Sequence, residues 1–188
     1  MYCYYNAHPK GLFVDDCTKR AITVTTRRDY MEIQRQLNLC KQQTGADCFY
    51  SCGNPHYFVE KVLGCPKIPV DNLTVDQFCK QYPTGRYVLD LEGHWTAAVS
   101  GDIYDTFDCL SEKVNFAYDM SSALVDAPMP IPKGGCFTAH KAKNRQIRLT
   151  FYDANGAKAH RLIPADHLPG YQRCLMDYGH QKSPYTEV

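Results

Sequence analysis

The stretch HWTAAVSGDIYD, residues 94–105, pairs with itself in one main way. Two runs rich in apolar, β-branched and aromatic residues flank Ser100-Gly101, a dipeptide suited to a two-residue hairpin turn. With those residues at the turn, Val99 stands opposite Asp102 and Thr96 opposite Asp105. His94 then faces Phe107 and lies diagonal to Asp105. Side chains alternate along a strand, so His94, Thr96 and Asp105 share one face. A three-residue turn would instead bring Asp108 opposite His94, which keeps Asp108 as the reserve partner.

Around this hairpin the chain changes period. Before it come helix signals. DYMEIQRQLNLCKQQTG opens on Asp29, with Glu32 completing a capping box, an apolar face of Tyr30, Ile33, Leu37 and Cys40, and Gly45 as stop. NPHYFVEKVLG has Asn54 as cap, Pro55 in the first turn and Gly64 as stop. TVDQFCKQYP carries Thr74 and Gln77 as another box. Then GRYVLDLE, HWTAAVS, DIYDTFD and KVNFAYD read as four strands. Helices followed by an antiparallel sheet is the α+β order. Residues 1–16 read as an irregular or extended lead-in, interrupted by Pro9 and Gly11.

Residues 121–135, SSALVDAPMPIPKGG, read as a proline-rich linker. Beyond it, RQIRLTFYDANGAKAHRLIP predicts a hairpin turning at Asn155-Gly156, and PGYQRCLMDYG a short helix. The expected organisation is a core at 1–120, a linker at 121–135 and a small β-rich module at 136–188.

Composition enters through the cysteines and the charge. The chain has 188 residues, ten of them Cys. No apolar run reaches the length of a membrane span, and MYCYYNAHPKG lacks the apolar core of a signal peptide. A cytoplasmic protein with reduced thiols is expected. Cys40, Cys79 and Cys174 sit in apolar stretches and read as small hydrophobes. A net charge of +1 gives no global reason to expect nucleic acid. The tail does carry Lys133, Lys141, Lys143, Arg145, Arg148, Lys158 and Arg161, with Phe137, Phe151 and Tyr152 between. A solvated surface over a small core is the favoured reading there, ahead of a nucleic-acid site or a substrate-recognition surface. Cys48, Cys52, His56 and Cys65 form the one cluster with metal-ligating chemistry. Their spacing is that of no standard zinc finger or ribbon, so buried thiols are favoured and no metal is expected.

VDDCTKRAITV, residues 14–24, holds the candidate nucleophile. A helix starting near Cys17, capped by Asp15 or Asp16, would favour a thiolate there. The β-branched ITVTT run argues against helix on propensity alone. Arg20 and Lys19 lie within one turn and read as exposed helix charges that could also lower the thiol's pKa. A nucleophilic cysteine also needs an imidazole in reach and a third group fixing the imidazole's tautomer. His94, after Gly93 at the head of a strand, supplies the first, and Asp105 the second.

The order Cys, His, Asp resembles the papain-like cysteine peptidase superfamily. YDTF at 104–107 looks like that family's Asn-Ser-Trp segment, with Asp105 at the Asn position. DDCTKRAI together with GHWTAAVSGDIYDTFD is similar to small papain-like proteins of phages and their Gram-positive hosts. The resemblance covers residues 1–120 and implies a nucleophile helix packed on the sheet. It implies Cys17 as nucleophile, His94 as its ion-pair partner and Asp105 as the orienting group. The family's usual oxyanion donor is a Gln a few residues before the Cys. Residues 1–16 hold no Gln, and Asn6 is the only amide side chain there, so Asn6 and the Cys17 backbone N–H are the expected donors. The implied function is a cysteine peptidase or amidase acting on a protein or peptide substrate without a cofactor. In a phage-encoded chain the compartment would be the host cytoplasm. The alternatives are a transglutaminase-like enzyme or peptidoglycan amidase with the same triad, and a catalytically silent papain-fold protein that binds a host target.

Overall fold

The computed structural model describes residues 1–44 and 54–188. Within them the chain is α+β, built on two mixed β-sheets. The larger sheet centres on β3 (Arg86–Leu91), β4 (His94–Val99) and β5 (Asp102–Asp105), joined by two tight turns. Ser100 and Gly101 form the second turn with φ of 51° and 77°, the left-handed pair that a two-residue hairpin requires. Val99 pairs with Asp102 and Ala97 with Tyr104, as the sequence predicts. β6 (Phe116–Asp119) and then β2 (Lys67–Ile68) extend the β3 side antiparallel. KVNFAYD therefore contributes a shorter strand than its pattern suggests.

The expected antiparallel sheet needs one correction. β1 (Tyr2–Tyr4) lies beside β5 and runs parallel to it, with Tyr4 opposite Asp105. Residues read as a lead-in thus form an edge strand. A parallel neighbour so far away in sequence requires a long crossover, which no local pattern reports.

Both faces of this sheet are buried. α1 (Cys17–Thr26) and α2 (Tyr30–Thr44) lay Ala21, Ile22, Val24, Ile33 and Leu37 against Val88, Trp95, Ala97, Val99 and Tyr104. α4 (Val75–Gln81) covers the opposite face, where Phe78 meets Leu89, Leu91, Ala98 and Ile103. α1 forms despite its β-branched run because that run is buried. Thr25 and Thr26 return their hydroxyls to the Ala21 and Ile22 carbonyls at 2.8 and 2.7 Å. The Arg86 guanidinium caps the last turn through the Val24 and Thr25 carbonyls.

The capping predictions divide. Thr74 and Gln77 make a full reciprocal box at α4. At α2 the Asp29 carboxylate accepts the Glu32 N–H, but the Glu32 carboxylate turns to Arg35 and Gln36 instead. α3 (Asn54–Tyr57) continues into a π turn over Phe58–Val62.

The smaller sheet comprises β7 (Cys136–Lys141), β8 (Gln146–Tyr152) and β9 (Lys158–Pro164), with α5 (Leu168–Asp177) on one face. The β8–β9 loop closes on Asp153, whose carboxylate accepts the Asn155 and Ala157 N–H groups. β10 (Gln181–Lys182) then pairs parallel to β7. Cys174, on α5, is exposed, so its apolar sequence neighbours do not bury it. Among the described residues, no helix is long and apolar enough to cross a membrane.

Candidate active site

Cys17 is the first residue of α1, and Asp16 stands at its cap position. The Asp16 side chain makes no capping bond. It is buried, bonded to the Arg20 guanidinium, and accepts the Tyr30 hydroxyl at 2.6 Å. Arg20 is therefore a buried partner of Asp16, contrary to its reading as an exposed helix charge. This cluster pins the start of α1 to α2. It also leaves the first-turn amides unclaimed by a side-chain cap, and those amides are where a helix presents positive potential.

His94 opens β4 directly after Gly93, whose φ of +68° belongs to the tight turn from β3. Its Nε2 lies 2.7 Å from Asp105 Oδ2. Asp105 is itself fixed. Its Oδ1 accepts the Thr106 N–H at 2.6 Å, and its carbonyl accepts the Tyr5 N–H at 2.8 Å. The Tyr2 hydroxyl reaches the same carbonyl at 3.4 Å. The edge strand β1 and the residue after it thus anchor the backbone that carries the orienting carboxylate. The Phe107 ring packs over the imidazole, centroid to centroid 4.5 Å.

The His94 ring, the Trp95 backbone and the Thr18 side chain lie close enough to the Cys17 thiol to act on its titration. With Nε2 on Asp105, Nδ1 is the ring nitrogen left for sulfur. Burial pushes the Cys17 thiol up, but the pull of His94, the Trp95 backbone and Thr18 outweighs it and holds the thiol below its ordinary value. Burial pulls His94 down, yet the hydrogen bonds to Asp105 and Cys17 raise it to about 9. Two coupled groups moved in opposite directions favour a thiolate–imidazolium pair.

The structure brings Cys17, His94 and Asp105 together and leaves Asp108 outside. Asp108 is exposed and accepts the Leu110 N–H. Asn6 is buried in the loop before α1. Its Nδ2 donates to the Leu12 carbonyl at 3.1 Å and its Oδ1 accepts the His8 N–H at 3.0 Å.

Of the metal-type cluster, Cys48 and Cys52 lie outside the described residues. His56 bonds the Tyr118 hydroxyl at 2.6 Å and packs against Trp95, while Cys65 neighbours Ser122. Among the described residues, no group of three His, Cys, Asp or Glu side chains could hold a metal ion. In the tail, Phe137 is fully buried and Phe151 packs on the module's core.

Sequence reading missed the Asp16–Arg20–Tyr30 cluster and the anchoring role of β1. The i,i+4 spacing of Asp16 and Arg20 was a usable signal for the first. No protein-family model, curated protein or solved structure matches the chain.

Proposed function

We propose that the chain is a cysteine peptidase or amidase with a papain-like core. The observation that supports this is the His94–Asp105 hydrogen bond at 2.7 Å beside Cys17 at the start of α1, with the thiol lowered and the imidazole raised to about 9. A helix-start nucleophile with His and Asp on adjacent antiparallel strands is the arrangement that the papain resemblance implies.

In this reading the Cys17 thiolate attacks the scissile carbonyl carbon and forms an S–C bond. The negative charge moves to the carbonyl oxygen, where the Cys17 backbone N–H stabilises it. Asn6 serves as the second donor, because its Nδ2 carries one hydrogen beyond the bond to Leu12. As the C–N bond breaks, His94 gives its proton to the leaving amine, and a thioester remains on Cys17. Neutral His94 then takes a proton from water as that water attacks the thioester. The acid product leaves, and the ion pair is restored. Asp105 keeps the imidazole oriented throughout and stays ionised. No cofactor takes part.

The test is digestion of a mixed synthetic peptide pool at neutral pH, with an acid quench to trap acyl-enzyme. Peptide cleavage and an acyl adduct on Cys17, both abolished in Cys17→Ala, are expected. Cleavage that survives Cys17→Ala would refute the assignment.

A further inference from the structure

The C-terminal stretch QKSPY, residues 181–185, touches α1, β5 and the loop before α1, three of the segments around the triad. Its backbone belongs to the smaller sheet: β10 pairs with β7, and the Ser183 N–H donates to the Phe137 carbonyl at 2.9 Å. Its side chains belong to the larger one. Gln181 Oε1 accepts the Asn6 backbone N–H at 2.9 Å. Asn6 in turn holds the loop to Leu12, and that loop ends at Cys17. Lys182 pairs with Asp102 at 3.3 Å, beside the turn that joins the His94 and Asp105 strands. Tyr185 is buried between the Arg27 and Arg86 guanidinium groups, 4.2 and 4.9 Å from its ring centroid. Its hydroxyl donates to the Val24 carbonyl at 2.8 Å, at the far end of the nucleophile helix.

We infer that residues 181–185 are a positioning element of the active site, with Gln181 acting through Asn6 on the loop that delivers Cys17. The inference rests on the proposed Cys17 chemistry for its catalytic meaning, and on hydrogen bonds alone for its structural part. The smaller sheet is then a part of the catalytic unit. It grips the tail by its backbone, and the tail's side chains hold the last turn of α1, the loop before α1 and the hairpin turn. Removing the Gln181 acceptor frees one N–H at the base of the Asn6 loop and loosens the path to the thiol, while the cores of both sheets stay intact.

The experiment compares the full chain with Gln181→Leu, which removes the acceptor, and Gln181→Glu, which keeps an acceptor oxygen. Two quantities are read: amide hydrogen exchange over residues 5–14, and the pH midpoint and rate of iodoacetamide labelling at Cys17. Gln181→Leu should speed exchange in 5–14 by up to about tenfold, the reach of one lost hydrogen bond. It should also slow Cys17 labelling severalfold and move its midpoint upward, and Gln181→Glu should restore both. Exchange and midpoint unchanged in Gln181→Leu would overturn the inference. Wild-type Cys17 labelling no faster than the other thiols would defeat the proposed function, while the exchange data would still decide whether the tail holds the loop. Should Gln181→Leu not fold, Tyr185→Phe removes only the hydroxyl bond to Val24. Faster exchange over 17–26 is then expected, and unchanged exchange would contradict the clasp.

Discussion

Cys17 and Cys109 are both buried thiols, one beside His94 and the other near Asp105, and their electrostatics diverge. Cys109 is fully buried in the core beneath α4, and burial together with the nearby Asp105 and Asp108 charges pushes it up to about 12. Cys17 is also buried, yet it is brought below its ordinary value by His94, the Trp95 N–H and Thr18. Burial alone makes a thiol inert. A site appears where a helix start and a strand end bring donors to the sulfur. Five other buried cysteines among the described residues fit the same rule: Cys3, Cys40, Cys65, Cys79 and Cys136 are all raised, with desolvation the leading cause.

The sharpest way to break the contrast is to make Cys17 resemble Cys109. His94→Ala should slow Cys17 alkylation near neutral pH by about 10²–10⁴-fold, the range of a lost general acid–base partner. Mass-spectrometric mapping of the labelled thiols checks it. Asp16→Ala strands the buried Arg20 and unhooks α1 from Tyr30. Breaking a buried pair in this way costs about 3–5 kcal/mol, read by denaturant unfolding. Asp105→Ala removes a hydrogen bond to a charged group, about 1.5–3 kcal/mol, and should slow amide turnover by about 10–100-fold.

pH separates two roles of His94. Its folded pKa is raised to about 9, so the imidazolium persists well past the ordinary histidine range and is lost as pH rises through about 9. Amide turnover needs that proton and should fall along this limb. Alkylation of the thiolate does not need it and should hold. The smallest effect belongs to the other thiol. Cys109→Ala should cost about 1 kcal/mol of stability and leave Cys17 labelling unchanged.

Much of the site was legible because its parts are local. The Ser100-Gly101 turn fixes the register of β4 and β5, and the register alone puts His94 diagonal to Asp105. The start of α1 at Cys17 was legible only with help from the wider pattern, since AITVTT has poor helix propensity and is rescued by tertiary burial. What escaped is non-local. Three residues of β1 pair with a strand a hundred positions away, and the Tyr185 side chain caps a helix whose sequence says nothing of it. Asp15 or Asp16 reads as the cap because Asp commonly caps helices, and a buried Arg four residues beyond Asp16 claims that carboxylate instead.

The most direct test is the rate of iodoacetamide labelling at each cysteine of the native chain, followed from pH 5 to 10, with His94→Ala in parallel. The account predicts that Cys17 labels fastest, with a midpoint below that of an ordinary thiol, and that it falls into line with Cys109 once His94 is gone. Slow labelling at all ten thiols, or fast Cys17 labelling indifferent to His94, would contradict it.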